Sequence, residues 1–177
     1  MTTKTAPAER HCLAVLVDDE PGVLARVVGL FSGRGYNIES LTVASIDRAA
    51  KQSRISIVTT GTPDIIAQIC AQLGRLVPVR HVADLTAAGD HVEREMALIK
   101  VVNQGMERIE SMRLAEVFRA RVIDATTNSF VLEITGSSAK IDSFIALLHP
   151  IGMVEIVRTG VAGMARGPVY VSHGQSA

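Results

Sequence analysis

Leu13, Val15 and Val17 alternate with other residues at the two-residue period of a strand with a buried face. Asp18-Asp19-Glu20-Pro21-Gly22 interrupts that pattern. Val23, Val27, Leu30 and Phe31, with Leu24 and Val28 beside them, then recur at helical spacing. Pro21 suits a first helical turn with Asp19 or Glu20 as cap, and Gly33-Arg34-Gly35 stops the helix. Tyr36–Ile46 reads as a long strand, Asp47–Gln52 as a polar hairpin tip, and Arg54–Thr59 as the returning strand. Gly61-Thr62-Pro63-Asp64 opens a second helix whose apolar side is Ile65, Ile66, Ile69 and Leu73. Leu76–Leu85 supplies a fourth strand. The order βαββαβ predicts a ferredoxin-like module.

The second half repeats the plan. Glu95–Val102 reads as a strand and Gln104–Arg119 as a helix with Met106, Ile109, Leu114, Val117 and Phe118 on its apolar side. Val122–Thr126 and Phe130–Thr135 make a hairpin, Ser137–Leu148 a helix and Met153–Val157 a last strand. Placing Gly61 on Gly136 also places Ile66 on Ile141, Ile69 on Phe144, Leu73 on Leu148 and Val82 on Val157. Earlier in the modules Val27 falls on Leu114 and Phe31 on Phe118, the difference being a longer hairpin in the first module. A register that holds through both a helix and its following strand points to duplication. The expected class is therefore α+β, with two ferredoxin-like βαββαβ modules over 10–85 and 95–163. Residues 86–94, with the small polar run Ala87-Ala88-Gly89-Asp90, form the linker, and 164–177 a glycine-containing, loosely ordered tail.

Composition narrows the function. Lys+Arg and Asp+Glu both number 18, so there is no bulk pull toward nucleic acid or an anionic membrane. Aromatic residues are 3% and Trp is absent, which disfavours base-stacking platforms. Apolar residues reach 47% with a mean hydropathy of +0.28, yet no apolar run has the length of a membrane span. The excess apolar surface is expected in two cores and in subunit interfaces. Met1–Glu9 has no signal-peptide-type stretch and two cysteines make no disulfide framework, so a reduced cytoplasmic compartment is expected.

Catalytic chemistry is sparse. None of His11, His81, His91, His149 and His173 pairs with Cys or another His at metal-ligand spacing. His91-Val92-Glu93-Arg94-Glu95 lacks the second His that a zinc-protease helix needs. No phosphate-binding glycine loop or nucleophile elbow occurs, so neither a metal site nor an acid–base constellation is expected. The chemically informative segment is Asp18–Val23. A free amino acid offers a carboxylate, which suits unpaired N–H groups at a helix start, and an ammonium, which Asp19 can receive. Gly22 lets a ligand approach the backbone, and Val23, Leu24 and Ile38 can hold an aliphatic side chain. The same residues also fit an ordinary strand-to-helix turn with acidic capping.

Asp19-Glu20-Pro21-Gly22-Val23-Leu24-Ala25-Arg26-Val27 resembles the signature of ACT domains. Gly29–Ala44, with Phe31-Ser32-Gly33-Arg34-Gly35-Tyr36-Asn37-Ile38-Glu39-Ser40, is similar to the hallmark of acetolactate synthase small subunits. His91–Glu95, Phe118–Asp124 and Arg158–Val161 match later segments of that family. The resemblance covers roughly 10–167. It implies a non-catalytic regulatory subunit that activates a separate catalytic large subunit. That large subunit carries thiamine diphosphate, Mg2+ and FAD; the small one binds none of them. The resemblance further implies feedback inhibition by valine, or a related branched-chain amino acid, bound between the first modules of a homodimer. Asp19, Pro21, Gly22, Val23 and Leu24 come from one chain, Asn37 and Ile38 from the other. The alternative is a stand-alone ACT-type sensor acting on a different enzyme.

Overall fold

The computed structural model describes residues 6–168 and Val171. Strand β1 (Glu9–Asp18) is buried on both faces. Leu13, Val15 and Val17 point into one cluster with Ile55, Ile57, Ile66 and Ile69, while Cys12 and Ala14 point into another with Val58, Leu85 and Val161. Alternation is thus present in β1, with an apolar partner on each side. Around it lie α1 (Val23–Arg34), β2 (Ser40–Asp47), β3 (Gln52–Gly61), α2 (Pro63–Leu73) and β4 (Val79–Asp84). The antiparallel sheet runs β2-β3-β1-β4. The second unit holds most of β5 (His91–Val102), with α4 (Gly105–Phe118), β6 (Arg121–Ala125), β7 (Ser129–Gly136), α5 (Ser138–Leu148) and β8 (Met153–Arg158) in the matching order β6-β7-β5-β8. Both are ferredoxin-like α+β modules.

Helix α1 starts later than the proline indicated. Gly22 is its N-cap, at φ 87°, with no side-chain cap, so Pro21 lies in the preceding turn and neither Asp19 nor Glu20 caps. At its far end Gly35 takes φ 69° and the Tyr36 N–H donates to the Phe31 carbonyl (3.0 Å). That C-terminal closure uses Tyr36, so β2 begins at Ser40 and not at Tyr36. In α4 the left-handed cap is Arg119 and the Ala120 N–H donates to the Ala115 carbonyl (2.8 Å). These equivalent closures set Phe31 against Ala115 and Val27 against Ser111, one helical step away from the Leu114 and Phe118 pairing that spacing gave. A three-residue slip on a helix preserves the apolar pattern, which is why periodicity alone missed it. In α4 Leu114 and Phe118 pack inward, but Met106, Ile109 and Val117 are exposed and the buried positions are Ser111 and Ala115. The later pairing holds in the helix, where Ile66, Ile69 and Leu73 are buried as Ile141, Phe144 and Leu148 are, but not in the strand that follows, where Val82 packs against the core and Val157 is exposed.

The module limits also move. One compact unit comprises the described residues up to Val92 together with those from Val161; the other is Glu93–Gly160. Residues 86–94 are not a bare linker. Asp84 accepts from the Thr86 and Ala87 N–H groups (3.0 and 3.1 Å) and starts a one-turn helix, α3 (Leu85–Ala88), whose Leu85 is buried. Nor do 161–163 belong to the second module or 164–165 to a loose tail. Val161 is 4% exposed and Ala162–Ala165 form strand β9, so the chain returns to the first module after Gly160. Its glycine, Gly163, reflects contact rather than looseness, since a Cβ there would meet Cys12 Sγ at 2.6 Å. Of the expected tail, only residues up to 168 and Val171 are described.

Candidate effector-binding site

The turn from β1 to α1 is held by its backbone. The Asp18 N–H donates to the Pro78 carbonyl (2.8 Å) and the Asp19 N–H to the Lys51 carbonyl (2.7 Å), at the tip of the β2–β3 hairpin. The Val23 N–H donates to the Glu20 carbonyl (3.3 Å) and the Arg26 N–H to the Gly22 carbonyl (3.1 Å). Between them lie the N–H groups of Leu24 and Ala25, and Gly22 has no side chain with which to cap them. A Cβ on Gly22 would meet no atom within 4 Å, so the space over the helix start is open. Beside it is a concavity of about 440 Å³ lined by Asp18, Asp19, Glu20, Pro21, Ala50 and Lys51.

Charge around the turn is unevenly satisfied. Arg80 Nε donates to both Asp18 carboxylate oxygens (2.8 and 2.9 Å), which raises the Arg80 pKa. Arg26 Nη1 donates to Glu20 Oε1 (3.0 Å). Among the described residues, the Asp19 carboxylate has no such partner. The turn therefore presents one uncommitted carboxylate next to uncapped amide donors, the pair of features that an α-amino acid zwitterion requires.

The expected site residues fall into separate places. Asp19, Pro21, Gly22 and Leu24 are exposed at the turn, while the Val23 side chain is 6% exposed and belongs to the core. Asn37 is exposed, its carbonyl accepting from Thr59 Oγ1 (2.6 Å), and Ile38 is half-buried against the core. Asp18 pairs with Gln52 on β3, whereas Ser40, which follows Asn37 and Ile38, pairs with Val58. Six residues of strand, roughly 20 Å, separate those registers. A single chain thus places the two sets at opposite ends of one sheet. Ala50 and Lys51 were missed as lining residues. Lys51 takes φ 50°, and nothing in its local sequence indicates that a hairpin tip reaches the turn.

The corresponding connection in the second module is closed. β5 ends at Val102 and α4 begins at Gly105, so only Asn103 and Gln104 intervene. Asn103 is 5% exposed and its Nδ2 donates to Ser111 Oγ (2.7 Å), the Ile151 carbonyl (2.7 Å) and the Glu107 carbonyl (3.2 Å). Among the described residues there is no cluster of three His, Cys, Asp or Glu side chains suited to a metal ion, and no helix long and apolar enough to cross a membrane.

Comparison with known proteins gives consistent likenesses. The family model described as small subunit of acetolactate synthase matches residues 94–167, and that of the AHAS small subunit-like ACT domain matches 13–81. The chain is 45% identical over 159 residues to the acetolactate synthase isozyme 3 small subunit of Escherichia coli, covering 89% of this chain and 96% of that one. It is 43% identical over 158 residues to a probable acetolactate synthase small subunit of Archaeoglobus fulgidus, covering 89% and 98%. Among solved structures, the acetolactate synthase small subunit of Thermotoga maritima superposes with a TM-score of 0.83 at 38% identity, covering 91% of this chain and 99% of that one.

Proposed function

The chain belongs to the family of acetolactate synthase small subunits, with an ACT domain as its first module, and from that premise we propose that it is a non-catalytic regulatory subunit. It activates a separate catalytic large subunit and makes that enzyme sensitive to valine. Thiamine diphosphate, Mg2+ and FAD reside on the large subunit, and the complex works in the cytoplasm. Valine sits between the ACT domains of two copies. The turn of one copy, Asp19 and Pro21–Leu24, takes the zwitterion; Asn37 and Ile38 of the other close over it.

The observation that supports this is the separation of the two residue sets together with the place of β2. β2 is an edge strand carrying exposed Val43 (43%) and Ile46 (54%). Antiparallel pairing of β2 with a second β2 about a two-fold axis sets the start of one strand beside the end of the other. Because the β1–α1 turn lies at the Asp47 end and Asn37 precedes the Ser40 end, that operation brings each turn to the other copy's Asn37 and Ile38. The ammonium meets Asp19 and the carboxylate meets the Leu24 and Ala25 N–H groups. Activation of the large subunit draws on the second module, whose equivalent turn is sealed.

The test is co-expression with the large subunit followed by acetolactate assays with and without valine. The isolated chain is expected to make no acetolactate from pyruvate even with all three cofactors, and the reconstituted enzyme to be faster and valine-sensitive. Turnover by the isolated chain, or a monomer at micromolar concentration in light scattering, overturns the proposal.

A further inference from the structure

The face of the first sheet opposite its helices is covered by chain that arrives from the second module. Val161 is clasped from both sides by β2: its N–H donates to Ser40 Oγ (2.7 Å) and its carbonyl accepts from Thr42 Oγ1 (3.2 Å). Two residues on, the Gly163 carbonyl accepts from Arg54 Nη2 (2.6 Å). Arg54 stands opposite Ala44 in the β2–β3 register, so all three contacts fall on one face of one hairpin. Val161 packs with Cys12, Ala14, Val58 and Leu85, and a Cβ on Gly163 would come within 3.0 Å of Leu85 Cδ1 as well as 2.6 Å of Cys12 Sγ. The strap is therefore fitted to the strand beneath it. Burial lowers the Arg54 pKa, with the Cys12 thiol opposing, in keeping with a guanidinium set into the fold rather than on it.

The position of the clasp matters as much as its strength. Ser40 lies two residues after Ile38, and Ser40 and Thr42 open β2 on the side away from the helices. The strap is the continuation of β8 through Gly160. Building on the effector reading above, we infer that Val161–Ala165, held by Ser40, Thr42 and Arg54, is the element that passes occupancy of the valine site to the second module. A ligand that fixes Asn37 and Ile38 fixes the start of β2. The two hydroxyls carry that constraint to the Val161 backbone, and the chain carries it into the second module.

Hydrogen exchange on the full-length protein, with and without saturating valine, tests this. Valine is expected to slow the Leu24 and Ala25 amides and also to change exchange across Val161–Ala165 by roughly fivefold or more. In the double variant Ser40→Ala/Thr42→Val, calorimetric valine affinity is expected to stay within about threefold of wild type, since neither side chain is in the ligand contact set. In the reconstituted enzyme, inhibition at saturating valine is expected to fall by at least about half. Should that variant be poorly folded, Arg54→Met releases only the Gly163 carbonyl and gives a smaller change in the same sense. Protection at Leu24 and Ala25 with unchanged exchange at Val161–Ala165, or full valine inhibition of a folded double variant, overturns the strap's role and leaves the effector site standing. No protection at Leu24 and Ala25 overturns both.

Discussion

Two copies of one topology treat the turn between first strand and first helix in opposite ways. In the first module four residues, 19–22, intervene, the cap is a glycine at φ 87° and the helix start is open. In the second only Asn103 and Gln104 intervene, and Asn103 turns its amide inward to carbonyls and a buried hydroxyl. A helix start has the same unpaired donors in either setting. What separates an open turn from a closed one here is loop length, together with whether the nearest polar side chain satisfies the fold or is left without a partner. The second module has in addition an ion pair on a buried carboxylate: Glu95, with its side chain 5% exposed, receives Arg158 Nε at 2.6 Å and Nη2 at 2.9 Å, and Ser138 Oγ at 2.9 Å.

The largest effect is expected where that ion pair is broken. Arg158→Leu strands a buried carboxylate and is predicted to destabilise the second module by about 3–5 kcal/mol in denaturant unfolding, with valine affinity unchanged. A parallel loss of valine binding would show that the modules are not separable. The pair also sets an acid limit. Hydrogen bonding from Arg158 holds the Glu95 carboxyl below its usual value, against the opposing effect of burial, and Ser138 adds to it. A depressed folded-state value means stability that is present above the unfolded carboxylate pKa of about 4.3 and is lost as pH falls through the folded value. The wild-type protein is expected to lose stability over that acid range, and the Arg158→Leu variant to show little of this loss; equal slopes in pH-dependent melts would refute the assignment.

Gly22→Asp comes next, at about 2–5 kcal/mol of valine binding, or roughly 30-fold and more. The new carboxylate meets the ligand carboxylate, and a side chain at φ 87° adds backbone strain. Inhibition and activation must be read on the same preparation. Loss of inhibition with most activation kept supports the open-turn reading, and joint loss makes Gly22 a folding residue only. Ending the chain after Gly160 comes third. It leaves every strand and helix of the first βαββαβ in place but uncovers Cys12, Ala14 and Val58, with a predicted loss of about 2–4 kcal/mol from that module. An unchanged melting curve would show the strap to be dispensable for stability. Asn37→Ala is the mildest, weakening valine by about 1 kcal/mol through one lost polar side chain.

How much of this was legible follows from the range of each signal. The β1 alternation and the Ile66, Ile69 and Leu73 stripe are local and were read directly. Pro21 pointed to a helix start, but its fixed φ serves a turn as well as a first helical residue, and the glycine beside it took the cap. Met106, Ile109 and Val117 looked like core because periodicity records a stripe without recording which side faces the sheet. The Asp19–Leu24 turn was visible as a motif, but the approach of Lys51 depends on hairpin length and sheet register, which are non-local. The strap is divided by the sequence reading, 161–163 going to the second module and 164–165 to a loose tail, because Gly163 and its small neighbours look alike whether a glycine gives freedom or close approach.

That close approach also makes the protein readable by simple thiol chemistry. Cys12 and Cys70 are both outside any disulfide. Burial pushes the Cys70 thiol up to about 11, with Asp84 adding to it, so little of it is thiolate near neutrality. Cys12 is fully buried, its sulfur lying 2.6 Å from where a Cβ on Gly163 would fall. An alkylating reagent can reach that sulfur only when the covering segment lifts, so the rate of Cys12 modification counts how often it does. A Cys70→Ser background would turn that count into a single-site clock for the opening of the segment, in the assembled enzyme as well as in the isolated chain.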